Sequence, residues 1–139
     1  SFYKAQADRI REQLKREFGG AADDEKKIRV GTVDSFQGME FDVVFLSIVR
    51  VMPNPAEIDK AKKRVIEKGE YWNNKREAQF CFGHLCLYNR LNVSMSRQKK
   101  LLVVVGDAGS LQNQLAADSV PGLVDFLQLC RSEGVVLPC

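Results

Sequence analysis

Val43-Val44-Phe45-Leu46-Ser47-Ile48-Val49 is the stretch that decides the fold, because only Ser47 interrupts its apolar side chains. A second run, Leu101-Leu102-Val103-Val104-Val105, leads into Gly106-Asp107. Continuous apolar runs are typical of strands covered on both faces, as in parallel sheets. The two runs therefore predict an α/β fold with a mainly parallel sheet and with strands over residues 42–49 and 101–105. A shorter β-branched run predicts a further strand over residues 28–33.

Helical periodicity flanks these strands. Ala7, Ile10, Leu14 and Phe18 recur at helical spacing, which predicts an amphipathic helix over residues 3–17. Gly19-Gly20 ends this helix, and a polar loop follows over residues 21–27. Further helices are predicted over residues 91–97, 108–116 and 121–131. Alternating strands and helices indicate a layered α/β domain.

Residues 52–82 interrupt this alternation. Pro53 and Pro55 open the segment, and an apolar stripe at helical spacing follows, which predicts a helical insertion between two core strands. Between residues 57 and 77, seven Lys and Arg stand against five acids. The basic run 60–64, with Tyr71 and Trp72 nearby, fits either a nucleic-acid contact or the solvated face of a helix with Trp72 as a core anchor.

Length and composition bound the class of protein. A chain of 139 residues, 45% hydrophobic and 28% charged, suits one compact globular domain and excludes general disorder. Its apolar runs fall short of the ~20 residues of a membrane helix, and no signal peptide is evident. The absence of an initiator Met suggests a fragment of a longer protein. The net charge of +3 permits a nucleic-acid partner without demanding one.

Four cysteines at irregular spacing favour reduced thiols in the cytoplasm, or in the nucleus of a eukaryote. Cys81-x-x-His84-x-Cys86 invites a zinc interpretation, but structural zinc takes four ligands and a distant cysteine would have to supply the fourth. Packed interior thiols are the more common explanation. We therefore predict no metal site.

Two segments carry candidate chemistry. Gly31-Thr32-Val33-Asp34-Ser35-Phe36-Gln37-Gly38-Met39-Glu40-Phe41-Asp42 lies between two predicted strands, where α/β sheets often place ligand sites. On its own it could equally be a capped turn. Arg90-Leu91-Asn92-Val93-Ser94-Met95-Ser96-Arg97-Gln98-Lys99-Lys100 ends in a cluster of cations. Arg97 could complement a helix dipole or present its donor fork to a phosphate.

Together the two segments resemble helicase motifs V and VI of superfamily 1, in the subgroup of RNA-surveillance and Okazaki-fragment helicases. Ser1-Phe2-Tyr3-Lys4-Ala5-Gln6 is similar to the Thr-Pro-Tyr-x-x-Gln element, motif IV, of the same lobe. The resemblance covers roughly residues 1–107 without 52–82. Phe2 stands where Pro is usual, and Ser94-Met95-Ser96 stands for the commoner Ala-Leu-Thr, with a hydroxyl kept at Ser96.

This resemblance implies that residues 1–139 form a C-terminal RecA-like lobe, with a sheet that is incomplete and an insertion at about 52–82. It implies that Arg97 reaches the γ-phosphate of ATP, and that Gly38 and Glu40 approach the γ-phosphate and the ribose. Gln37 would couple nucleotide state to the nucleic-acid side. Tyr3 would either stack on the adenine or face the core.

The same resemblance implies that Ser1, Thr32 and Ser35 contact the sugar-phosphate backbone of single-stranded DNA or RNA. Such hydroxyl contacts position a strand without reading its bases. No phosphate-binding Gly-x-x-x-x-Gly-Lys-[Ser/Thr] occurs in the chain, so ATP and Mg²⁺ would be bound mainly by an N-terminal lobe of the same protein.

The expected protein is an ATP-dependent helicase in which this lobe supplies an arginine finger, and the resemblance to this subgroup implies 5′-to-3′ polarity. The lobe alone is expected to be inactive as an ATPase. The alternative, from a different class, is a non-catalytic module that binds nucleic acid or a protein.

Overall fold

The computed structural model describes residues 1–19 and 27–138, so that all but the last residue of the predicted loop at 21–27 lies outside the described part. The chain forms two compact units. The first comprises Ser1–Val49 and Asn92–Val105, and the second Arg50–Leu91 and Gly106–Cys139. The organisation of residues 1–139 as one lobe stays a prediction.

A parallel sheet is the centre of the first unit. Strands β1 (Phe41–Ser47) and β2 (Gln98–Val105) pair in parallel, with Phe45 opposite Val103 and Ser47 opposite Val105. One irregularity interrupts the register between Phe41 and Val43. The predicted α/β class and the parallel sheet are confirmed. Within the described residues the sheet has two strands and does not close, which is consistent with an incomplete RecA-like layered domain.

The strand predicted over residues 28–33 is wrong, because residues 28–32 carry no strand in the structure. The Ser1 ammonium donates to the Gly31 carbonyl oxygen at 3.1 Å, and the Val33 amide donates to the Ser1 carbonyl oxygen at 2.9 Å. This is the hydrogen-bond pattern of one rung of a parallel ladder. A strand needs such pairing along its length, and a single rung does not supply it.

An amphipathic helix, α1 (Lys4–Phe18), begins the first unit close to its predicted bounds. Ala7 is buried, whereas Ile10 and Leu14 line a cavity of about 700 Å³. The same cavity is bordered by residues 27–31 and by all of β1 except Asp42. Phe45, on β1, is 70% exposed. Several side chains of β1 are therefore not covered by other described residues.

The second unit is helical. It contains α2 (Pro55–Glu67), α3 (Asn74–Phe82), α5 (Gln114–Ser119) and α6 (Pro121–Glu133). The helix α4 (Tyr88–Met95) precedes β2 in the chain and includes residues of both units. The helix predicted over 108–116 is divided into a 3₁₀ turn and α5. Asn113 causes this division, because its side chain caps α5 by accepting the Ala116 amide proton at 2.8 Å.

Apolar side chains from α3, α5 and α6 form the core of this unit. Phe82, Leu123, Val120 and Cys81 are its largest fully buried side chains. At the start of the insertion, the Met52 amide donates to Ser110 Oγ at 2.7 Å, and Ser110 Oγ donates to Asp107 Oδ2 at 2.6 Å. This chain of bonds ties the beginning of the insertion to the segment after β2.

The predicted helical insertion is present as α2 and α3. Asn54 and Glu57 form a reciprocal capping box at the start of α2, with Pro55 in its first turn. No residue of α2 is buried, and its basic residues 60–64 are on or near the surface. Trp72 is half-buried, donates from Nε1 to Glu77 at 3.2 Å and packs against the Phe80 ring in an edge arrangement. No helix in the described ranges is long and apolar enough to cross a membrane.

Candidate functional site

A tight turn places the first candidate residues. Gln37 has φ −62° and ψ 129°, Gly38 has φ 78°, and the Met39 amide donates to the Phe36 carbonyl oxygen at 3.1 Å. These values define a type II turn, whose third position requires a positive φ that glycine adopts without strain. The turn directs Met39 and Glu40 into the start of β1.

Arg97 lies in the two-residue link between α4 and β2. Its guanidinium donates from three nitrogens: Nε to the Val93 carbonyl oxygen at 3.0 Å, Nη1 to the Met39 carbonyl oxygen at 3.3 Å, and Nη2 to Ser96 Oγ at 2.9 Å. The side chain is half-buried. Arg97 is therefore oriented by contacts to both segments that the sequence singled out.

Hydrogen bonds in both directions connect the segment around Gly38 with the segment around Arg97. The Phe41 amide donates to the Arg97 carbonyl oxygen at 2.8 Å, while the Arg97 side chain donates to the Met39 carbonyl oxygen. The structure thus brings Gly38, Glu40 and Arg97 to the amino ends of β1 and β2. Open α/β sheets commonly bind ligands at the carboxyl ends of their strands, so this site lies at the opposite edge.

Two ion pairs border this edge. Lys99 Nζ lies 3.5 Å from Glu40 Oε2, and Lys100 Nζ lies 2.7 Å from Asp42 Oδ2. The hydrogen bond from Lys100 is the main cause that lowers the pKa of Asp42, and its charge adds to the effect. Sequence reasoning missed both pairs. Two acids at the start of one strand and two lysines at the start of its parallel neighbour were the signal that could have revealed them.

A second cluster contains the candidates for single-strand contact. Thr32 Oγ1 and Ser35 Oγ are 2.9 Å apart and share a hydrogen bond, and the Ser35 amide donates to the Thr32 carbonyl oxygen at 3.0 Å. Ser1 adjoins them through its bonds to Gly31 and Val33. The three hydroxyl residues predicted from the sequence therefore lie along one short stretch of surface.

Two further candidates have less defined settings. The Gln37 side chain is exposed beside the turn that contains Gly38. Tyr3 is the residue that precedes α1 and is half-buried.

Cys81 and Cys86 are packed thiols in the described part of the chain. Cys81 is fully buried, and Cys86 Sγ donates to the Ala78 carbonyl oxygen at 3.4 Å. Burial is the main cause that raises the pKa of both thiols, which disfavours the thiolate that binds zinc. Among the described residues, no group of three or more His, Cys, Asp or Glu side chains could hold a metal ion.

Comparison with known proteins identifies the family to which this chain belongs. Residues 1–109 match the family described as AAA domain, which is of the superfamily 1 helicase type. This match covers more than half of the 139 residues, including both clusters described above. The chain therefore belongs to this AAA domain family and corresponds to the C-terminal region of a superfamily 1 helicase.

Individual relatives agree with this assignment. MOV-10 of Gallus gallus is 31% identical over 134 residues, which are 95% of this chain and 11% of that protein. Helicase SEN1 of Saccharomyces cerevisiae is 29% identical over 78% of this chain and 4% of its own length. DNA polymerase alpha-associated DNA helicase A of the same yeast is 38% identical over 61% of this chain and 9% of its own length.

The chain spans about a tenth or less of the length of these three relatives. No solved structure matched it significantly.

Proposed function

We propose that this chain is the C-terminal motor lobe of an ATP-dependent helicase and that Arg97 is its arginine finger. One observation carries the proposal. Hydrogen bonds connect Arg97 with the segment that follows the Gly38 turn, at the amino ends of β1 and β2. A planar guanidinium suits a phosphate group, because its donors match the geometry of two phosphate oxygens. In phosphoryl transfer, such a cation stabilises charge on the transferred group.

The nucleotide would lie against this edge, with ATP and Mg²⁺ bound mainly by the N-terminal lobe. Gly38 lacks a side chain, and the position that a Cβ would occupy there is open, which suits close approach of a phosphate to the backbone. Glu40 is exposed and can accept hydrogen bonds from ribose hydroxyls. Both acidic residues at this edge are paired with lysines, which supports assigning Mg²⁺ to the other lobe.

The hydroxyl cluster would contact the nucleic acid. Ser1, Thr32 and Ser35 offer donors and acceptors to sugar and phosphate, and none of them can read a base pattern from such a position. Closure of the two lobes on ATP and their reopening after hydrolysis would move this cluster along a single strand. DNA and RNA both fit such contacts.

The test is Arg97→Ala in the full-length protein. ATPase activity stimulated by nucleic acid should fall by ~10³, the typical effect of an arginine finger, while single-strand binding is retained. Arg11→Ala is the matched control, because Arg11 also donates to a backbone carbonyl, Val30 O at 2.7 Å, but lies on α1. Its ATPase should be unchanged. Wild-type turnover in Arg97→Ala would overturn the assignment.

The isolated chain provides a second test. With no phosphate-binding loop in its 139 residues, it should show no measurable ATPase and only weak single-strand binding that decreases with salt. Robust ATP hydrolysis by the purified chain would contradict the division of the active site between two lobes.

A further inference from the structure

Ser96 lies beside the guanidinium of Arg97 and forms a hydrogen bond with it. Its Oγ donates to the Val93 carbonyl oxygen at 3.4 Å and accepts a hydrogen bond from Arg97 Nη2 at 2.9 Å. The same Val93 carbonyl oxygen accepts from Arg97 Nε at 3.0 Å. One helical carbonyl and one hydroxyl thus hold two of the three guanidinium nitrogens.

The direction of these bonds matters. A serine hydroxyl has one proton, and when that proton points at Val93 the oxygen lone pairs are left to face Arg97. The long Arg97 side chain otherwise has many rotamers, and a fixed acceptor reduces that freedom before any ligand binds. The third nitrogen, Nη1, makes the longest of the three guanidinium bonds, 3.3 Å to the Met39 carbonyl oxygen.

We propose that Ser96 is a positioning residue for Arg97, an inference that rests on the proposed function. Ser96 and Val93 hold Nη2 and Nε in place, while Nη1 exchanges the Met39 carbonyl oxygen for a phosphate oxygen. A phosphate oxygen carries negative charge, so it is the stronger acceptor for a guanidinium. The finger would then reach the phosphate by a small displacement rather than by a search through rotamers.

This role predicts a particular kinetic signature. Orientation of a group that acts in the transition state lowers the barrier of the chemical step more than it strengthens substrate binding. Loss of the Ser96 hydroxyl should therefore reduce kcat and leave the KM for ATP and the single-strand affinity nearly unchanged. A purely structural role would instead weaken binding and folding together.

The experiment compares Ser96→Ala and Ser96→Thr in the full-length protein. We expect kcat of Ser96→Ala to fall about tenfold, the scale of one hydrogen bond to a charged group, and Ser96→Thr to retain most of the activity. Ser132→Ala is the control, because Ser132 Oγ also donates to the carbonyl oxygen three residues earlier, Leu129 at 3.2 Å. Its kcat should not change.

A double mutant tests whether Ser96 acts through Arg97. In an Arg97→Ala background, Ser96→Ala should cause no further loss, because the group that it positions is already absent. Wild-type kcat in Ser96→Ala, or a full additional loss in the Arg97→Ala background, would overturn the positioning role. Wild-type turnover in Arg97→Ala alone would overturn the proposed function instead, so the two failures are distinguishable.

Discussion

Replacement of Gly38 by alanine tests whether the tight turn controls Arg97. Gly38 has φ 78°, and a Cβ added there would meet no atom within 4 Å. The cost of alanine is therefore conformational rather than steric. A left-handed backbone costs an L-residue roughly 1–2 kcal/mol, and the reduced freedom of the unfolded chain offsets part of this. We expect Gly38→Ala to lose about 1 kcal/mol of unfolding free energy.

Gly69 provides a matched comparison. It has φ 74°, its Cβ would also meet nothing within 4 Å, and it follows α2 in the other compact unit. Gly38→Ala and Gly69→Ala should therefore lose similar stability in urea unfolding of the chain, monitored by circular dichroism. The two should differ in ATPase activity of the full-length protein, because only Gly38 precedes the Met39 carbonyl that Arg97 contacts.

Two results would refute this reasoning. If Gly38→Ala loses stability as Gly69→Ala does but keeps wild-type ATPase, the turn does not control Arg97. If Gly38→Ala loses no stability, the positive φ does not strain alanine as argued. Gly38→Asn sharpens the test, because asparagine tolerates positive φ better than alanine and should recover part of both losses.

Two further predictions concern the second unit. Phe82→Ala should destabilise it by about 3–5 kcal/mol in urea unfolding, because Phe82 is fully buried, whereas Phe82→Leu should cost less. The hydrogen bond from Ser110 is the main cause that lowers the pKa of Asp107 below its ordinary 3.8, so this carboxylate stabilises the fold at pH above that value. Asp107→Asn should therefore be destabilised at pH 7 relative to wild type, and the difference should shrink in thermal unfolding as the pH falls below 3.8.

Local pattern determined most of the secondary structure. The bounds of α1, α6 and β1 agree with prediction to within about two residues, the ordinary uncertainty of element ends. These elements are long and have clear apolar periodicity or continuous apolar runs. The prediction of a strand over residues 28–33 was wrong because it rested on composition alone. Their β-branched composition favours a strand, but a strand also requires a partner, which composition does not describe.

The sequence alone determined the candidate site only in part. The types of residue that could contact ATP and a single strand, and the resemblance to superfamily 1 helicases, were visible in the order of the segments along the chain. Their mutual arrangement was not. The hydrogen bond from Arg97 to Met39 joins residues 58 positions apart, and so does the bond from Lys100 to Asp42.

Both long-range contacts depend on β1 and β2 being parallel neighbours. The apolar run at residues 43–49 by itself determined that a strand exists there, because its hydrophobicity is a local property. Only the tertiary structure decided that β2 lies beside it and starts at the same edge. Strand pairing joins residues that are far apart in the sequence. The pairing of β1 with β2 is what places the guanidinium of Arg97 against the Gly38 turn.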